Sequence, residues 1–136
     1  MNDRNALLYG MVGGGSGAFI GDVHRKAAEF DGRCRLVAGC FSRDYSNTKE
    51  TGHRLGLAHD RLYADYRKMA ETEGQRPDPI DFVIVVTPNS SHYGAAKAFL
   101  EQGINVVCDK PLTVSVAEAE ELERLARENE LLFGVT

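Results

Sequence analysis

An α/β domain, three layers deep around a doubly wound parallel sheet, is the fold class this sequence predicts. Three observations predict it. Short β-rich runs alternate with helical patterns along the chain, the rhythm of right-handed βαβ crossovers. The run Phe82-Val83-Ile84-Val85-Val86 is apolar without a break, as expected of a strand whose sheet is covered by helices on both faces. A glycine-rich turn, GGGSGAFIG at residues 13–21, joins the first strand pattern to the first helix pattern.

The elements follow in order. The first strand spans about Leu7 to Val12. The helix after the glycine turn runs from about Gly21 to Phe30, with Val23, Ala27 and Phe30 on its apolar side, and Asp31-Gly32 ends it. Strand two covers Arg35 to Phe41. A helix over about Asn47 to Leu55 comes next, weakened by Gly52 in its interior. A short strand near Leu62-Tyr63 and a helix from Asp65 to Glu73 precede a turn-rich connection, Gln75 to Pro79. Beyond Phe82–Val86, Asn89 or Ser90 caps a helix from about Ser91 to Gln102, and Gly103 stops it. Ile104 to Cys108 forms the next strand. Ser115 and Glu118 make a capping box for the last helix, whose apolar stripe is Val116, Ala119, Leu122, Leu125 and Ala126. A final strand covers Leu131 to Val135.

Bulk properties narrow the function classes. A length of 136 residues suits one domain with its own core, and 43% hydrophobic with 26% charged residues is ordinary for a globular protein. The net charge of −4 is spread along the chain, which argues against a nucleic-acid surface. No apolar run approaches the ~18 residues that would span a membrane. The opening Met-Asn-Asp-Arg-Asn is not followed by the apolar segment of a signal peptide. The three cysteines, Cys34, Cys40 and Cys108, lack metal-ligand spacing and read as reduced thiols of a cytoplasmic protein.

In an open parallel sheet, ligands bind beyond the carboxyl ends of the strands. Four strand tips therefore carry the chemistry. At the first, Gly13 and Gly15 begin a G-x-G-x-x-G phosphate fingerprint. The third glycine position falls on Ala18 if the spacing is kept. It falls on Gly21 if Ser16-Gly17-Ala18 is an insertion. Either alignment brings backbone amides to a pyrophosphate at a helix N-terminus. At the second tip, Ser42 and Arg43 stand where an acid often reads the adenosine ribose. They suit a 2′-phosphate, with Asp44 as an alternative ribose contact. The third tip is Thr87-Pro88-Asn89-Ser90-Ser91-His92, where Pro88 ends the strand and His92 is expected in the first helical turn, facing the cleft. The fourth is Asp109-Lys110-Pro111, whose ammonium could bind an anionic group or stabilise an alkoxide. Each tip also has a plainer reading: a ligand-free turn, a solvated arginine, a polar helix start, and a surface lysine paired with Asp109.

Together the tips resemble the N-terminal half of the glucose–fructose oxidoreductase, inositol dehydrogenase and rhizopine-catabolism (Gfo/Idh/MocA) family, over essentially the whole chain. The matching motifs are Gly21-x-x-His24, Thr87-Pro88-Asn89-x-x-His92, Ala95-x-x-Ala98 with Gly103 beyond, and Asp109-Lys110-Pro111-Leu112. The resemblance favours the insertion alignment, because it puts His24 where the family has a histidine after the third glycine. Two positions depart from the family pattern: Asp109 replaces a glutamate, and Ser42 replaces the acid of NAD-preferring members.

The resemblance implies a Rossmann-type NAD(P)-binding domain, with hydride exchanged with a sugar, polyol or related hydroxyl compound. Gly13, Gly15, Ser16, Gly17, Phe19, Ile20 and Gly21 would form the pyrophosphate turn. Ser42 and Arg43 would meet the ribose, with a lean to NADP over NAD. Pro88, Asn89 and His92 would border the nicotinamide side, Thr87, Asp109 and Lys110 would also contact the cofactor, and Lys110 would be catalytic. In that family a second domain completes the substrate site and makes the oligomer. Such a domain is expected outside these 136 residues, which would then bind cofactor without turnover. Two other readings stay open: a non-catalytic dinucleotide sensor, and an S-adenosylmethionine methyltransferase.

Overall fold

The computed structural model describes residues 5–136, so the charged opening at residues 1–4 lies outside it. Strand β1 (Leu7–Gly13) passes through the glycine turn into α1 (Phe19–Glu29), and β2 (Cys34–Cys40) into α2 (Tyr45–Arg54). A 3-10 turn at His59–Arg61 and helix α3 (Tyr66–Gln75) lead to β3 (Phe82–Val86). A second 3-10 turn, Asn89–Ser91, runs into α4 (His92–Glu101), followed by β4 (Asn105–Cys108), α5 (Val116–Glu128) and β5 (Phe133–Val135). All pairings are parallel, in the order β2-β1-β3-β4-β5. The chain leaves β1 towards β2 and returns to β3 on its other side. The crevice of a doubly wound sheet opens at such a reversal.

Two apolar layers fill the space between sheet and helices. On one face Met69 and Ala70 of α3, Phe99 and Leu100 of α4, and Leu122 of α5 pack on Val83, Val85 and Val106. On the other, Ile20 and Ala28 of α1 and Leu55, just past α2, pack around Tyr9, Met11, Ile84 and Val86. Strand β3 feeds alternate residues to each face, which is why its run is unbroken. Burying a leucine or phenylalanine of this kind contributes roughly 1.5–3 kcal/mol before entropy is counted.

Strand β2 carries one surplus residue. Tyr9 pairs with Leu36 and Gly10 with Ala38, so Val37 has no opposite number on β1. The amide of Leu36 donates instead to Glu29 Oε1 at 2.9 Å, and the Tyr9 hydroxyl donates to the same oxygen at 3.3 Å. The bulge moves Leu36 to the α1–α2 face while Ala38 and Cys40 face the other core.

Several elements differ from the sequence expectation. Val23 and Phe30 do not face the core: they are 43% and 93% exposed, and the buried residues of α1 are Gly21 and Arg25. Helix α1 is rotated because Gly21 must lie against the glycine turn. Leu62-Tyr63 makes only an isolated bridge, Gly39 to Leu62, with the Tyr63 amide donating to Gly39 O at 2.9 Å. Helix α2 begins at Tyr45, two residues early, because Asp44 caps it by accepting from Ser46 N. Gly52 does not break α2; a Cβ there would come 2.3 Å from Leu62, so the gap lets the edge segment approach. Neither Asn89 nor Ser90 caps α4: both lie in the 3-10 turn, and Ser91 occupies the cap without a side-chain bond to the helix amides. Ser115 Oγ does accept from Glu118 N at 3.3 Å, while Glu118 reaches back to Val114 N. Among the described residues no helix is long and apolar enough to cross a membrane, and no cluster of side chains could hold a metal ion.

Candidate functional site

The glycine turn is built on backbone contact. Gly13 and Gly14 take φ of 87° and 76°, the left-handed region that glycine enters without a steric penalty. A Cβ on Gly21 would lie 2.4 Å from Gly14 Cα. Turn and helix therefore touch backbone to backbone, the role of the third fingerprint glycine. Ala18 is exposed at the N-cap of α1. The insertion alignment is the one the fold uses. Gly14 was not singled out by the fingerprint spacing, yet it is the partner of Gly21. Arg25, buried one turn further on, donates from Nη1 to Gly14 O at 2.9 Å and braces the turn from below.

The rest of the turn is divided between solvent and α2. Gly15 N donates to Phe41 O at 3.0 Å, tying the first tip to the second. Ser16 N donates to Asn47 Oδ1 at 3.0 Å and to Thr51 Oγ1 at 3.2 Å, so this amide is committed to α2. Gly17 and Phe19 are exposed, and Ile20 tucks against the core. A groove of about 570 Å³ lies between the turn, α1 and α2, lined by Ser16, Gly17, Phe19, Arg25 and Arg54 among others.

At the second tip, Ser42 N donates to Thr48 Oγ1 at 3.0 Å, and Ser42 Oγ accepts from Asp44 N at 3.1 Å. Asp44 Oδ1 accepts from Ser46 N at 2.9 Å, which engages that carboxylate as the cap of α2. Arg43 is exposed and reaches across the crevice, its Nη2 donating to Ser91 Oγ at 3.4 Å. The second and third tips thus meet through a guanidinium.

At the third tip Pro88, Asn89 and Ser90 are exposed and Thr87 half-buried, so this segment can wall the crevice. His92 does not face the cleft as expected. It is 1% exposed, with Nδ1 2.7 Å from Pro111 O and Nε2 2.8 Å from Thr87 O. Its ring lies behind the wall and bridges the third tip to the fourth.

Lys110 is exposed at the end of β4, and the Lys110–Pro111 peptide is cis. Its neighbour Asp109 turns to other partners: His24 Nε2 lies 3.5 Å from Asp109 Oδ1, which also accepts from Thr136 Oγ1 at 3.1 Å. The Gly21-x-x-His24 and Asp109-Lys110-Pro111 motifs are thus halves of one contact. The expected sites converge at the carboxyl end of the sheet, with His92 and Asp109 holding the loops rather than lining the crevice. The polar face of α2 — Asn47, Thr48 and Thr51 — was missed. Those residues read as ordinary helix positions, and their partners Ser16 and Ser42 are loop residues.

A parallel sheet with a glycine turn and a reversal between β1 and β3 defines a Rossmann-type domain. The chain belongs to the oxidoreductase family with an NAD-binding Rossmann fold (GFO_IDH_MocA), matched over residues 7–136. It is 40% identical to the oxidoreductase YfiI of Bacillus subtilis over 131 residues, 96% of this chain and 33% of that protein. It is similar to an oxidoreductase structure from Sinorhizobium meliloti (TM-score 0.91, 45% identity, 98% of this chain and 37% of that one). It is also similar to an inositol dehydrogenase homologue of Azotobacter vinelandii, solved with NADH and myo-inositol (TM-score 0.94, 44% identity, 98% and 35%). The chain spans about a third of the length of each of these relatives.

Proposed function

We propose that this domain holds NAD(P) for hydride exchange with a secondary hydroxyl of a polyol or sugar, in a cytoplasmic oxidoreductase. The observation that carries the reading is Lys110, exposed at the end of β4 between two anchored neighbours. Asp109 is tied to His24 and Thr136, and Pro111 to His92. A lysine placed this way can steady a substrate hydroxyl and its developing charge. The likeness to the inositol dehydrogenase homologue supports the substrate class.

The turn fits a dinucleotide. A Cβ at Gly13 would meet Val86 O at 2.7 Å and one at Gly21 would meet Gly14 Cα at 2.4 Å, so only glycines let the turn pack this tightly between β3 and α1. The turn and the N-terminus of α1 would receive the pyrophosphate. Arg43 would meet the adenosine ribose, and Thr87, Pro88 and Asn89 would flank the nicotinamide end. The bound dinucleotide supplies the hydride donor or acceptor. The chain's own residues orient it and hold Lys110 at the reacting hydroxyl. The remaining walls of the substrate site, and any oligomer interface, are proposed to lie in the further length that the relatives carry.

NADPH is proposed to bind at least as well as NADH. Ser42 puts no charge where a 2′-phosphate would sit, Arg43 lies beside it, and Asp44 is engaged in capping α2. The test is titration of the chain with both dinucleotides, for wild type and Arg43→Ala, plus turnover in the complete enzyme for Lys110→Ala. Losing a hydrogen bond to a charged group, worth roughly 1.5–3 kcal/mol, should weaken NADPH about ten- to a hundredfold and leave NADH alone. Lys110→Ala should lower kcat by about 100-fold or more with cofactor affinity kept. Wild type binding S-adenosylmethionine but neither dinucleotide would sink the reading. Normal kcat in Lys110→Ala would leave Lys110 an ordinary surface lysine with no part in the chemistry.

A further inference from the structure

Helix α2 lies outside the expected site, yet it bonds to both loops that would hold the dinucleotide. Its Asn47 and Thr51 grip the glycine turn. Ser16 N donates to Asn47 Oδ1 at 3.0 Å and to Thr51 Oγ1 at 3.2 Å, and Asn47 Nδ2 donates back to Ser16 O at 3.2 Å. The Thr51 hydroxyl donates to Asn47 Oδ1 at 3.0 Å, so the two side chains fix each other. Between them in the helix, Thr48 grips the second tip: Ser42 N donates to Thr48 Oγ1 at 3.0 Å, and Thr48 Oγ1 donates to Ser42 O at 3.2 Å. Thr48 and Thr51 are completely buried. A hydroxyl in that position is costly unless it is hydrogen-bonded, and these are bonded to loop backbone.

We infer that Asn47, Thr48 and Thr51 are positioning residues for the cofactor: Asn47 and Thr51 set the pyrophosphate turn, and Thr48 sets the loop that reads the ribose. The inference rests on the dinucleotide reading above. Its physical basis is the light restraint on the inserted residues, which one backbone bond closes on themselves, Ala18 N donating to Gly15 O at 3.0 Å. Gly17, with φ of 89°, has no neighbour within 4 Å of where its Cβ would stand, so nothing on its side confines it. The clamp on Ser16 supplies the missing restraint, and a loop already ordered loses less freedom on binding. Two grips on one rigid helix also keep a constant spacing between the two loops.

The two grips make separable predictions. Thr51→Val keeps the shape and removes the hydroxyl; Asn47→Ala removes both bonds to Ser16. Each should weaken NADPH and NADH by the same factor, about fivefold for Thr51→Val and about tenfold for Asn47→Ala, leaving their ratio unchanged. Thr51→Ser, which keeps the hydroxyl, should bind as wild type. Thr48→Val should instead change the NADPH-to-NADH ratio, because it loosens the ribose loop alone. Hydrogen exchange at the Ser16 amide should speed up in Thr51→Val and Asn47→Ala, and stay slow in Thr48→Val. The clamp is overturned if Thr51→Val binds both dinucleotides like wild type. It is also overturned if Thr51→Ser is as weak as Thr51→Val, which would make the effect one of packing. A wild type that binds neither dinucleotide overturns the functional reading, and the clamp's role with it. Thermal midpoints within a few degrees of wild type would show that the variants remain folded.

Discussion

Gly21 decides more of the site than any charged residue does. With its Cβ position filled by the Gly14 backbone, the first turn of α1 has a single allowed distance from β1. Gly21→Ala should destabilise the chain by about 1–3 kcal/mol, the usual range for forcing a methyl into a packed contact. It should also weaken dinucleotide binding, since the turn must move. Ala18→Gly, at an exposed cap, should change neither by much. Denaturant midpoints and titrations of both variants would check this, and native stability in Gly21→Ala would contradict the contact. This pairing was half legible. Spacing alone left Ala18 and Gly21 both open, and the motif ending in His24 favoured Gly21. Gly14 was invisible because the fingerprint does not name it. His92 was legible as a motif residue but not as a buried one, since nothing in Thr-Pro-Asn-x-x-His says that both ring nitrogens face backbone carbonyls.

At the scale of elements, α1 shows where an apolar pattern misleads. Val23, Ala27 and Phe30 form a plausible stripe, but the Gly14–Gly21 contact turns the helix and brings Arg25 inside. A single backbone contact outweighed side-chain hydrophobicity. The segment between α2 and α3 shows a different limit. Arg61 Nε donates to Glu73 Oε1 at 3.1 Å, the Tyr63 hydroxyl donates to the same oxygen at 2.7 Å, and Arg61 Nη1 reaches Asp78 Oδ2 at 3.2 Å. This buried network fastens the edge segment to α3 where only a one-residue bridge joins it to the sheet. Glu73→Leu strands a buried guanidinium and a buried hydroxyl, and should cost about 3–5 kcal/mol. Glu73→Gln keeps an acceptor and should cost less. Thermal melts would order them wild type, Glu73→Gln, Glu73→Leu. Equal midpoints would show that Asp78 alone satisfies Arg61.

Across the whole molecule, the alternation of strands and helices was readable because each strand feeds one or both of two apolar layers, and periodicity reports burial. The short β segment near Leu62-Tyr63 was readable but not its shrinking to a single bridge; strand ends and the grips of α2 were not, because they depend on partners distant in sequence. The cores also set a pH limit. Burial pushes the Cys40 thiol up to about 11, and burial with the nearby Asp109 carboxylate pushes Cys108 up to about 12, from an ordinary 9.0. The fold keeps both neutral while the unfolded chain ionises them near pH 9. Their contribution is therefore complete below about pH 9 and lost as pH rises through 11 and 12. The thermal midpoint should fall above about pH 9, with a shallower fall in Cys108→Ala; an unchanged slope would remove Cys108 from the cause. The surplus residue Val37 has a consequence of its own. It shifts the phase of β2, so the strand arrives at Ser42 and Arg43 half a repeat out from a regular strand. Deleting that one residue would restore the two-residue beat and send Arg43 out on the opposite side, away from Ser91. Over this stretch the count of residues sets the side from which Arg43 leaves, while Val37 itself packs against the core under α3 and α4.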